Sequence, residues 1–168
     1  ANQISTSSAM TLTGGTYNMG GNAQTLSSLT FQGGTLTQGG ATLVLSNNGT
    51  ALTIRDLTIP GDISLTGGAS QGVVFDSTNN GTATLSGTLN FGGNTTTLTI
   101  PRGTATSDMT ISGAIMNGGL TKTGTGILTL SGSNSYLGTT TISNGTVILN
   151  GTLQSPVAVN ANTLLKGT

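Results

Sequence analysis

Short triplets with apolar ends, each closed by a glycine-rich turn, recur along the chain and leave few folds open to it. Met10-Thr11-Leu12, Leu29-Thr30-Phe31, Leu52-Thr53-Ile54, Leu57-Thr58-Ile59, Ile63-Ser64-Leu65, Leu98-Thr99-Ile100 and Met109-Thr110-Ile111 alternate with period two, as a strand with one buried face does. Val73-Val74-Phe75 and Leu89-Asn90-Phe91 keep the same apolar ends. Turn signals follow closely: Gly33-Gly34, Asn47-Asn48-Gly49, Pro60-Gly61-Asp62, Gly67-Gly68, Asn79-Asn80-Gly81 and Pro101-Arg102-Gly103. Glu is absent, Thr is abundant and no segment holds a three- and four-residue apolar spacing over two turns, so the chain reads as all β.

Spacing decides how such strands are arranged. Short strands suit either an antiparallel sandwich or a β-solenoid whose coils stack in parallel. The triplets beginning at Leu89, Met109, Leu128 and Val147 recur at intervals of about 20 residues, and Leu52 to Val73 is the same interval. A repeat of that length is one coil. Leu57-Thr58-Ile59-Pro60 returns as Leu98-Thr99-Ile100-Pro101 after close to two such intervals. The spacing therefore predicts a parallel β-solenoid over residues 1–168, a single unit with coils of about 20 residues. About eight coils at ~4.8 Å each make a rod of roughly 40 Å. Residues 1–45 fit the period less cleanly, and 152–168 read as the start of a further coil. Triplet ends are expected inside, middle residues outside, and Gly and Asn at the corners.

What is missing narrows the chemistry. Among 168 residues there are 4 Lys plus Arg, 4 acidic residues that are all Asp, and no Cys, His or Trp. Disulfides, thiolate nucleophiles, the usual general base and the commonest metal ligand are thereby removed together. No catalytic, cofactor or metal site is expected, and the chain reads as a non-enzyme. Zero net charge and no basic run leave no footprint for nucleic acid. No stretch approaches the ~20 apolar residues of a membrane helix, so membrane insertion by this segment is not expected. Ala1-Asn2-Gln3 has neither a charged nor an apolar leader region, which places any signal peptide upstream.

The few chemistry-bearing residues each have a plain reading beside the sharper one. Asp56 and Asp76 are one coil interval apart, so they would stack near each other in a solenoid and, with Arg55, form an acidic cleft of the kind carbohydrate-active enzymes use. As turn residues, with Asp62 and Asp108, they need no such role. Thr-Leu-Thr at Thr11, Thr35 and Thr97, with Thr139-Thr140-Thr141, raises an outward threonine array suited to ice, although Thr42-Leu43-Val44 and Thr146-Val147-Ile148 break the row. Asn-Gly-Thr at Asn48, Asn80, Asn144 and Asn150 reads as a turn entering a Thr-led strand. Gly-Leu-Thr-Lys-Thr-Gly lacks the Gly before Lys122 and the following helix of a phosphate loop, so it reads as a turn with an exposed Lys122.

That hexad opens the most regular part of the chain, residues 118–151. Gly119, Leu120, Lys122 and Gly124 are followed by Gly126, Leu128, Leu130 and Gly132, then Asn134, Tyr136, Gly138, Thr140 and Ile142, then Gly145, Val147 and Leu149. In that order and spacing they resemble the autotransporter-associated β-strand repeat, also called the passenger-associated transport repeat. The resemblance implies a right-handed parallel β-helix from the passenger of a secreted bacterial surface protein, exported across the outer membrane by type V secretion. It further implies a stalk or scaffold whose repeat aids transport and folding, with no cofactor. Expected partners are neighbouring coils of a longer chain or another copy end to end, and a host or cell-surface ligand. Leu120, Leu128, Leu130, Ile142, Val147 and Leu149 are expected in the local core, and Tyr136 under a turn. Thr163-Leu164-Leu165 keeps strand character with no polar cap behind it, which suits a filament or adhesion module stacking through its ends.

Overall fold

A computed structural model describes residues 3–167 of the chain; Ala1, Asn2 and Thr168, the outermost residues of the expected single unit, lie outside the described part. The described residues wind through eight coils. The first holds β1 (Ala9–Asn18) and β2 (Gln24–Leu26), and the second β3 (Ser28–Thr37) and β4 (Leu43–Leu45). A third strand per coil appears with β5 (Thr50–Ile54), β6 (Thr58–Ile59) and β7 (Ile63–Leu65). The fourth coil has β8 (Gly72–Phe75), β9 (Ala83–Leu85) and β10 (Leu89–Asn90), and the fifth β11 (Thr95–Thr99), β12 (Met109–Ile111) and β13 (Ile115–Met116). The sixth has β14 (Gly119–Thr123), β15 (Ile127–Leu130) and β16 (Ser133–Asn134), and the seventh β17 (Thr140–Ile142), β18 (Thr146–Leu149) and β19 (Thr152–Leu153). β20 (Val157–Val159) and β21 (Leu164–Gly167) form the last. One 3₁₀ turn at Ser77–Asn79 is the helical content among the described residues.

From the third coil to the seventh each coil lends one strand to each face of the rod, and every pairing is parallel. The first face runs β1-β3-β5-β8-β11-β14-β17-β20, the second β6-β9-β12-β15-β18-β21, and the third β2-β4-β7-β10-β13. The pair β16-β19 prolongs the third face, where Ser135 N–H donates to the Ile115 carbonyl at 3.0 Å. Antiparallel pairing, the mark of a sandwich, is absent among the described strands.

Register stacks the inward residues into ladders. On the first face Met10, Leu29, Leu52, Val73, Leu98, Lys122, Ile142 and Val159 pair in succession, one coil to the next. The second face carries Ala83, Met109, Leu128, Val147 and Leu165, and the third Gln24, Leu43, Ile63, Leu89 and Ile115. Apart from Val159 of the last coil, which is half exposed, these side chains line or pack against a thin continuous core from Met19 to Val147. Strand after strand shows the buried–intermediate–buried pattern of a period-two segment with one face inside.

Two details of the expected repeat are corrected. Leu89 lies on the third face, so it is not the ladder partner of Met109; that place belongs to Ala83, earlier in the same coil as Leu89. The longer echo likewise joins different faces, since Leu57-Thr58-Ile59 runs into the second and Leu98-Thr99-Ile100 out of the first. Between Leu89 and Met109 the cause is the arc Pro101–Asp108 between β11 and β12, which lengthens its coil.

Glycine at one corner has a steric reason. Gly61, Gly87, Gly113, Gly132 and Gly151 stand in successive coils where the chain turns from the second face to the third. A β-carbon on Gly87, Gly113, Gly132 or Gly151 would overlap the carbonyl of the glycine in the coil before it. Only a hydrogen fits there.

Candidate functional site: the polar interior of residues 118–151

Lys122 is the first correction to the sequence reading. Leu120 points inward in β14, so period two sends Lys122 inward as well, and it has no exposed surface. It occupies a ladder place that Leu98 and Ile142 hold in the flanking coils. Its Nζ donates to three backbone carbonyls, Thr123 at 2.9 Å, Gly124 at 2.7 Å and Asn144 at 3.1 Å. Three donors meet three acceptors, which satisfies a buried ammonium. Gly124 and Gly145, both left-handed at φ +74 and +75, shape the turns that bring these carbonyls in. Burial pushes the Lys122 ammonium down to about 8 from 10.5, and the Asp108 carboxylate opposes that shift.

Asp108, also fully buried, ends the Pro101–Asp108 arc. Its carboxylate accepts from Gly103 N–H at 2.7 Å, Arg102 Nη1 at 2.9 and 3.1 Å, and Ile127 N–H of the next coil at 2.7 Å. The arc is thereby fastened to the coil that follows. Asn134 does similar work on the third face. Its Oδ1 accepts from Ile115 N–H at 3.1 Å, while Nδ2 donates to the carbonyls of Gly132 at 3.1 Å and Thr152 at 2.9 Å, so one side chain joins three coils. Tyr136 is buried against Phe91, ring centroids 6.0 Å apart, and its hydroxyl lies 2.6 Å from Thr140 Oγ1, itself 2.6 Å from Ser155 Oγ. Burial raises the Tyr136 phenol above 10.0.

The remaining repeat residues take structural places. Leu128, Leu130, Ile142 and Val147 join Leu120 in the core, and Leu149 is partly buried against it. Gly119 and Gly126 are buried, Gly132 stands in the glycine column, and a β-carbon on Gly138 would press on the Gly118 carbonyl. Sequence reasoning passed over Asp108 as a turn acid, and nothing in its spacing signals burial. Lys122 and Asn134 carried a signal, since each falls on the inward phase of its strand.

The expected acidic pair is divided between two tasks. Asp76 accepts from Arg55 Nε at 3.1 Å and Nη2 at 3.0 Å, from Gln32 Nε2 at 3.2 Å, and from Thr78. Thr78 and Arg55 hold its carboxyl below 3.8. A carboxylate kept charged in this way is a poor proton donor at neutral pH. Asp56 accepts from Asn79 Nδ2 at 3.3 Å, and Asp62 from Thr88 N–H at 2.7 Å. Outward threonines do align: Thr11, Thr30 and Thr53 stack on the first face before Val74 interrupts, and Thr58, Thr84, Thr110 and Thr129 on the second before Ile148. The second row is a single file, and Ser107 covers its end by a 2.8 Å bond to Thr129. Among the described residues no three His, Cys, Asp or Glu side chains come together as a metal cluster, and no helix is long and apolar enough to cross a membrane.

Fold and repeat together define the class: a β-solenoid in which one coil-and-a-half segment is cross-tied by buried Lys, Asn and Tyr side chains. Residues 120–149 match the family model of the passenger-associated transport repeat, so the chain carries that repeat. Its β-solenoid and this repeat support a segment of an autotransporter passenger β-helix, and the repeat implies a secreted or cell-surface protein. No curated protein and no solved structure matches the chain.

Proposed function

We propose that this chain is a non-catalytic stalk within a bacterial autotransporter passenger, and that its repeat assists folding as the passenger emerges through the outer membrane. The observation that carries this reading is the seating of residues 120–149 in register within an uninterrupted solenoid. A coil that contacts only its neighbours folds by addition onto the coil before it, with no need of a distant partner. The test fuses the chain between a signal peptide and an outer-membrane translocator barrel and measures its accessibility to added protease on intact cells. Display is expected for the chain as it stands and a severalfold loss for the Asn134→Ala, Tyr136→Ala double variant. Equal display of both would overturn the folding role.

A second reading rests on the last coil. Val157, Val159 and Leu164 are 39%, 50% and 49% exposed on β20 and β21, the last strands of their faces among the described residues. Exposed strand edges with apolar side chains accept another strand. End-to-end stacking of copies would appear in sedimentation velocity as species that grow over a hundredfold rise in concentration. A concentration-independent elongated monomer favours the stalk.

A further inference from the structure

A ladder of near-identical triplets leaves one thing weakly specified. Sliding a strand by two residues keeps its apolar ends inside, so period two alone does not choose between the native register and its neighbours. In the seventh coil Thr140, Thr141 and Ile142 pair with Leu120, Thr121 and Lys122, and Asn144, an exposed residue in the turn two places on, supplies the backbone carbonyl for Lys122 Nζ. A two-residue slip moves that carbonyl by about 6.6 Å at 3.3 Å per residue, out of reach of the ammonium. Gly145 adds a second condition, because a β-carbon there would lie 2.9 Å from Nζ. Only a coil that places a glycine turn over Lys122 leaves room for its head.

We propose that Lys122 is a register lock: a buried cation that accepts the next coil in one alignment only. Two of its acceptors, Thr123 and Gly124, belong to its own coil, and the third arrives with the seventh. A slipped coil would seal an under-bonded ammonium inside an apolar ladder, a costly state. Leu at the same place, as at Leu98, accepts every even slip equally. The lock trades stability for uniqueness, as single buried polar residues do in coiled coils. This inference does not depend on the secretion reading, since it concerns how one coil meets the next.

The chain has no cysteine, so engineered pairs report register directly. Thr121→Cys with Thr141→Cys joins positions paired in the native register, within the usual reach of a disulfide. Thr121→Cys with Ser143→Cys, or with Thr139→Cys, bridges only after a two-residue slip. Each pair is refolded under oxidising conditions with Lys122 present and with Lys122→Met. With Lys122, native pairing is expected to exceed slipped pairing at least tenfold. Lys122→Met is expected to raise the slipped product at least fivefold while the denaturation midpoint stays level or rises. An unchanged slipped fraction overturns the lock. Lys122→Leu is the second variant, and if neither it nor Lys122→Met folds, the lysine serves stability and the proposal falls.

Discussion

A lysine head enclosed by three carbonyls has a consequence for pH. Lys122 releases its proton near 8 when folded and near 10.5 when unfolded. Between those values the unfolded chain binds more protons, so stability rises with pH there, by up to about 1.4 kcal/mol per unit. Tyr136 acts in the opposite sense above 10.0, because its phenol is raised by burial and the unfolded chain then loses its proton first. Unfolding free energies from urea titrations are therefore expected to climb from pH 8 to about 10, by up to about 2 kcal/mol, and then to turn down. Lys122→Met should remove the climb; a climb that persists would assign it to another group. Polarity alone hides such a residue from sequence reading, since lysine is ordinarily solvated. Its strand phase, two residues after inward Leu120, is the signal that outweighs its chemistry.

Strands and corners were more legible than arcs. Leu128-Thr129-Leu130 and Val147-Ile148-Leu149 could be placed because apolar ends two residues apart identify an inward face, and the interval between them is their actual ladder register. Leu89 was misplaced because a triplet shows which side it buries but not which face of the rod it joins. The Pro101–Asp108 arc changed the coil length where no periodicity runs, and Asp108 owes its burial to that arc. Corners were expected to hold glycine, and the column from Gly61 to Gly151 supplies the steric reason. Gly132→Ala is expected to cost at least ~2 kcal/mol, because the Gly113 carbonyl already fills the space its methyl would need. Gly14→Ala, with nothing within 4 Å of the added carbon and no left-handed φ, should stay within about 0.5 kcal/mol. Comparable chemical-denaturation midpoints for the two variants would contradict the steric account.

Over the whole rod, each coil is held by the coils beside it, so protection should be graded rather than uniform. Hydrogen exchange read by mass spectrometry is expected to release the amides of β20 and β21 first, where Val157, Val159 and Leu164 are half covered. Those of β11, β12, β14 and β15, stacked on both sides and tied by Asp108, Lys122 and Asn134, should exchange last. Equal rates from end to end would mean a single cooperative unit instead. The glycine column bears on how such a chain changes its length. Each member after Gly61 meets the glycine of the coil before, whether a long coil separates them, as from Gly87 to Gly113, or a short one, as from Gly113 to Gly132. At this corner the coils are interchangeable parts: duplicating or deleting one coil's worth of gene would leave the glycine joint as it was, while the ties of Asp108, Lys122 and Asn134 stay particular to their own coils.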